Sequence, residues 1–142
     1  MMEPWNSTSD KAHKIRPDPE KAKALLKMIE LREKRLQYVK SAEFTTLLIE
    51  DYYEILKEII TGLMSIDGWK TVSHELLVGY LAKHYPAFDP AEISLIDQLR
   101  VMRNDIAYRG VQIPPEYLER NQKDILQVIQ KLKNTLRKRL NP

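Results

Sequence analysis

Arg100, Arg103, Asn104, Tyr108 and Arg109 crowd one short stretch in the last third of the chain. A guanidinium carries a fixed charge and a planar fork of donors that fits phosphate or carboxylate. An amide and a phenol add hydrogen bonds and a ring on which a base can stack. Together these groups suit phosphate recognition more than bond-making chemistry. The plain alternative is a salt-bridged helix end with Asp97 or Glu92 as partners. Elsewhere the chemistry is sparse. Cysteine is absent, which excludes disulfides, thiol catalysis and thiolate metal sites. The histidines, His13, His74 and His84, form no pair at helical spacing, so neither a metal nor a cofactor is expected. His74 and Glu75 are adjacent and do not face each other on a helix. His74 therefore reads as a partly buried first-turn residue, and His84 as a helix end.

These residues need a scaffold, and the apolar spacing supplies helices. Asp18-Pro19-Glu20 is an N-cap followed by the proline tolerated at the first helical position. Ala22, Leu25, Leu26, Ile29, Leu36 and Val39 then recur with helical period. A second helix is expected from near Ser41 to about Gly62, with a turn at Asp67-Gly68. Tyr52, Tyr53 and Asp51 in its middle suggest a packing or dimer surface. A third helix spans about Ser73 to His84, stopped by Tyr85-Pro86. The fourth opens on the capping-box pattern Asp89-Pro90-Ala91-Glu92 and closes at Gly110. The fifth begins after Pro114-Pro115-Glu116. Nothing reads as a strand. Residues 1 to 16 are polar and without period, and are expected to be weakly ordered, with Trp5 and Trp69 as loop residues covering core edges. Residues 17 to 142 form a single all-α domain, a five-helix up-and-down bundle.

On a helical wheel at about 100° per residue, the fourth helix divides into three arcs. Leu95, Leu99, Met102 and Ile106 form an expected core stripe, and Ser94, Gln98, Val101 and Asp105 face water. Ile93, Ile96, Arg100, Arg103, Asn104 and Ala107 form a third arc, apolar at its start and polar at its end. Isoleucines apart from the core stripe point to a symmetric homodimer interface on this arc. Arg103 and Tyr108 lie about 140° apart on an ideal helix. They converge only if the last turn loosens or a second chain contributes one of them.

Charge and composition set the outer bounds. The formal net charge is +3. Its cations concentrate between Lys21 and Lys40 and again after Asp124, where no acid occurs. Such runs are either solvated helix faces or attractive surfaces for nucleic-acid phosphate. No apolar run approaches the roughly 20 residues that span a bilayer, and no signal-peptide pattern opens the chain. A cytoplasmic protein without membrane contact is expected.

The order of these features resembles the HEPN family of all-helical domains, over roughly residues 20 to 138. Arg103 fits the family arginine and Asn104 the polar residue after it, at the end of a core helix. The turn at Asp67-Gly68 and the stretch Ser73-His74-Glu75-Leu76-Leu77 fit small prokaryotic members. The resemblance implies a dimer with two motifs facing across a cleft, acting in many members as a metal-independent endoribonuclease. It also implies that arginine stabilises phosphate charge while histidine transfers protons. Here Tyr108 stands where the family has histidine, and a phenol with a free pKa of about 10 is a poor base at neutral pH. The expectation is a homodimer that binds RNA or a nucleotide through Arg103, Asn104 and Tyr108. Arg100 and Arg109 are taken as further substrate contacts. Two alternatives stand beside it: a non-enzymatic helical partner of a small nucleotidyltransferase in a toxin–antitoxin pair, and an active endoribonuclease in which Tyr108 does the work of histidine.

Overall fold

The computed structural model describes residues 2–39 and 42–142. Its chain order is β1 (His13–Lys14), α1 (Pro19–Leu36), a 3-10 turn (Ala42–Phe44), α2 (Thr45–Asp67), β2 (Trp69–Lys70), α3 (His74–His84), α4 (Pro90–Arg109) and α5 (Pro115–Leu140). The five-helix, all-α expectation therefore stands.

Helix α2 is the axis of the bundle. Apolar residues cover most of its circumference, leaving a partly covered polar stripe of Glu50, Glu54, Lys57 and Thr61, as expected for a helix packed on several sides. Ile49, Tyr53, Ile55, Leu56, Ile59, Ile60 and Leu63 have no solvent exposure. Helices α1, α4 and α5 lie against it, and the short α3 fills the space between α2 and α4. Tyr52 and Tyr53 are buried within the chain, so they serve packing.

The helix passes its expected end near Gly62, continues to Asp67 and closes on Gly68 in the left-handed conformation (φ 90°). Gly62 has a packing reason. A Cβ there would lie 3.3 Å from Cδ1 of Leu136, so the missing side chain lets α5 come close. The expected start near Ser41 lies outside the described residues.

The helix boundaries follow their capping residues. Asp18 accepts from the Lys21 backbone N–H at 3.0 Å, and Ser73 caps α3 through the Leu76 N–H at 3.2 Å. At α4, Asp89 Oδ1 accepts from the Glu92 N–H (2.8 Å) while Glu92 Oε1 accepts from the Asp89 N–H (3.0 Å), a complete capping box. Gly110 ends α4 with φ 65°. Glu92 also receives Lys131 Nζ at 2.8 Å, and Tyr117 Oη donates to Gln98 Oε1 at 2.8 Å, so polar bonds tie α4 to α5.

Two expectations change at the N-terminus. A small strand pair does exist: β1 and β2 are antiparallel, with His13 opposite Lys70. The segment read as weakly ordered is anchored by Trp5, whose buried ring meets Tyr80 edge-on at 4.8 Å and Trp69 at 5.4 Å. Gly79 makes this possible, because a Cβ there would fall 2.8 Å from the Glu3 carbonyl and the Trp5 nitrogen. The polar composition of residues 2–16 concealed a single large apolar anchor.

Asp67, the last residue of α2, gathers three elements. Its Oδ2 accepts from Tyr80 Oη at 2.7 Å and from Tyr85 Oη at 2.8 Å, and its Oδ1 receives Arg139 from α5. Burial, followed by the bond to Asp67, pushes the Tyr85 phenol up to about 12. Removing Asp67 leaves the buried Tyr80 hydroxyl and the half-buried Tyr85 hydroxyl unmatched. Asp67→Ala is therefore expected to lower unfolding free energy by about 3 kcal/mol in urea denaturation. A loss near zero would mean that the cluster contributes no stability.

Candidate functional site

The N-terminal end of α3 abuts the C-terminal half of α4, and a cleft of about 310 Å³ lies between them. Arg100, Asn104 and Tyr108 line it from α4, one turn apart on one face. His74, Glu75 and their cap Ser73 line it from α3. Glu3 and Lys11 of the N-terminal segment close a third side, 3.7 Å apart as an ion pair.

Arg100 is 7% exposed and is the most buried of the arginines. Its Nε donates to Asp97 Oδ1 at 2.7 Å, and its Nη1 lies 3.7 Å from Glu75 Oε1. The guanidinium is thus oriented by two carboxylates while its Nη groups make no hydrogen bond among the described residues. Tyr108 is the opposite case, 78% exposed at the rim.

Arg103 is half-buried and is absent from the cleft lining. It sits on the α2 side, near enough for its charge to act on Tyr53 and His74. Arg109 is exposed and paired with Asp105 at 2.9 Å, away from the cleft. Helix α4 stays regular through Arg109, so Arg103 and Tyr108 remain about 140° apart and do not converge within the chain.

The arcs of α4 differ from the wheel reading. Ile96 and Leu99 are fully buried, Ile93 nearly so, while Leu95, Met102 and Ile106 are only partly covered. The buried face centres on Ile96 and Leu99 because α2 and α3 both press on it. The third arc is therefore core within one chain, and its isoleucines give no argument for a two-fold interface. The polar residues at its end belong where core meets cleft.

His74 is the residue whose importance spacing concealed. It is half-buried in the first turn of α3, as expected, but that turn opens into the cleft. Its ring lies 5.7 Å from that of Tyr53. Burial lowers its pKa from the ordinary value, and the nearby charges of Lys57, Arg103 and Arg100 act in the same direction, opposed by Glu54. At pH 7 the imidazole is neutral, able to accept a proton or a hydrogen bond. The only sequence signal for this was a first-turn position in a helix preceding the arginine-bearing one. Below it, Tyr53 Oη is buried without a hydrogen-bond partner among the described residues, and burial raises its pKa.

The long cationic runs are mostly spent inside the molecule. Arg32 Nε bonds Glu58 at 2.7 Å, Lys133 meets Glu33 at 2.8 Å, and Arg137 and Arg139 pair with Glu30 and Asp67. Among the described residues no group of three His, Asp or Glu side chains is placed to hold a metal ion. Likewise no helix is long and apolar enough to cross a membrane. No known protein family, curated protein or solved structure matches the chain.

The sign of the His74 shift is testable. A folded-state pKa below the ordinary value of about 6.5 means the fold opposes protonation. Stability is then unaffected above that range and declines as pH falls through it, until the folded-state value is passed. NMR titration of His74 should give a midpoint below 6.5, rising toward it in Arg103→Gln. A midpoint at or above the ordinary value in the unaltered protein would contradict the electrostatic account.

Proposed function

We propose that the cleft between α3 and α4 binds a phosphate of RNA or of a nucleotide. The observation that carries this reading is the convergence of the oriented Arg100 guanidinium, the Asn104 amide and the neutral His74 ring on one cleft with Tyr108 at its rim. The arginine offers donors already held in place, so little side-chain entropy is lost on binding. Asn104 adds an amide donor, and Tyr108 offers an exposed ring for base stacking. The volume suits one nucleotide or a nucleotide unit of a longer chain, near the lower end of the 300–1,000 Å³ typical of small-ligand sites. Arg103, outside the lining, acts on the site through its charge. All the lining residues come from one chain, so this reading does not depend on a second copy.

One observation favours a cleavage reading over simple binding, and it concerns His74 instead of Tyr108. A general base is most useful when neutral at working pH and within reach of the substrate. His74 has that protonation state and position, whereas the Tyr108 ring stands out in solvent. If RNA is cleaved here, His74→Gln abolishes turnover and Tyr108→Phe retains most of it. Full loss in Tyr108→Phe would return the catalytic role to the phenol.

Binding is checked by fluorescence anisotropy with labelled single-stranded RNA and with a 5′-nucleotide as competitor. Asn104→Ala and Arg100→Lys should each weaken binding about tenfold, near 1.4 kcal/mol. Arg109→Ala should change it little. The affinity should fall with added salt. RNA binding that is absent, or that survives both cleft substitutions, would sink the proposal.

A further inference from the structure

Apolar side chains are unevenly exposed on this molecule. Met28, Leu31, Tyr38, Phe44 and Leu47 are all large, apolar and open to water, and they run from the middle of α1, past its end, to the start of α2. Leu31 is 61% exposed and Leu47 54%. Met28, Leu31 and Arg35 follow a three–four spacing that places them in one stripe down α1, and Tyr38 continues it three residues on, just past the helix end. Leu47 and Asp51, with the N-cap residue Phe44 before them, form the matching stripe on α2. An ion pair between Arg35 and Asp51 at 3.5 Å bridges the two stripes and makes them one face. This face is separate from the cleft and from the core.

We propose that this face docks an acidic amphipathic helix of a partner protein. The spacing of the α1 stripe is that of helix-on-helix packing, in which apolar residues of a second helix fill the gaps between turns. Met28 to Tyr38 covers about 15 Å, or roughly three turns of such a partner. The charge on the α1 edge selects the sign. Lys27 and Lys34 are exposed beside Leu31 and have no ion-pair partner among the described residues.

A second copy of this chain would set these lysines against their equivalents, a like-charge cost. A lipid surface would have to desolvate the Arg35–Asp51 pair in the middle of the face. RNA gains little from Met28, Leu31 and Leu47, which neither stack flat on bases nor hydrogen-bond. Aspartates and glutamates flanking an apolar stripe satisfy both the lysines and the leucines. The inference is independent of the phosphate reading of the cleft.

The test uses the full chain and two synthetic helical peptides of about three heptads, both with leucine at the seam positions. One carries glutamate and the other lysine at the flanking positions. Fluorescence anisotropy should show binding of the glutamate peptide, weakening with salt, and much weaker binding of the lysine peptide. Leu31→Asp should reduce the affinity at least about tenfold. The double variant Lys27→Glu/Lys34→Glu should reverse the preference between peptides, a readout that loss of folding cannot produce. Equal binding of the two peptides, or a preference unchanged in the double variant, overturns the proposal. So does self-association in sedimentation, or adsorption to phosphatidylserine vesicles, that Leu31→Asp abolishes, since either assigns the face to another occupant.

Discussion

Helix α2 cannot meet water along most of its length, and this one constraint arranges the rest of the molecule. A helix with so wide an apolar arc is stable only when that arc is enclosed. Three other helices are therefore laid against it, and α3 closes what remains. Gly62 allows Leu136 of α5 to approach, and Asp67 gathers Tyr80, Tyr85 and Arg139 at the far end. The position of the cleft is a consequence. Helix α4 must press its Ile96 and Leu99 face onto α2, so its next face, bearing Arg100, Asn104 and Tyr108, turns to the start of α3.

The same enclosure explains the electrostatics. Tyr53 reaches from α2 under the cleft, and its neighbours Glu54 and Lys57 contribute to the field at His74. Two arginines act on His74: Arg100 in the cleft wall, steered by Asp97 and Glu75, and the half-buried Arg103 outside the cleft lining. Burial disfavours charge on His74, and adjacent cations disfavour it further. The outcome is an imidazole biased to its neutral form beside Arg100, whose own charge is held by Asp97 and Glu75.

Where the fold was legible, the signal was local chemistry. Asp18, Ser73 and the Asp89–Glu92 box announce helix starts because a helix N-terminus needs acceptors for its free N–H groups. Gly110 announces an end because left-handed backbone favours glycine. The failures were long-range. A wheel gives relative angles and cannot say which arc neighbouring helices will cover, so the Ile93–Ile96 arc read as an interface when α2 and α3 cover it. Gly62 resembles a terminator until Leu136 is seen against it. Trp5 gives no periodic signal, yet a single buried indole anchors the N-terminal segment. For the site, Arg100, Asn104 and Tyr108 were legible as one helix face. His74 was not, because its partners lie on another helix.

The central claim is that the α3–α4 cleft, and not the scattered cations of α1 and α5, receives phosphate. The most direct measurement is a titration of isotope-labelled protein with adenosine 5′-monophosphate, followed by backbone and side-chain NMR. The account predicts that saturable shifts concentrate at Ser73, His74, Glu75, Arg100 and Asn104. Shifts confined to the α1 and α5 lysines, with the cleft signals unmoved, would contradict it.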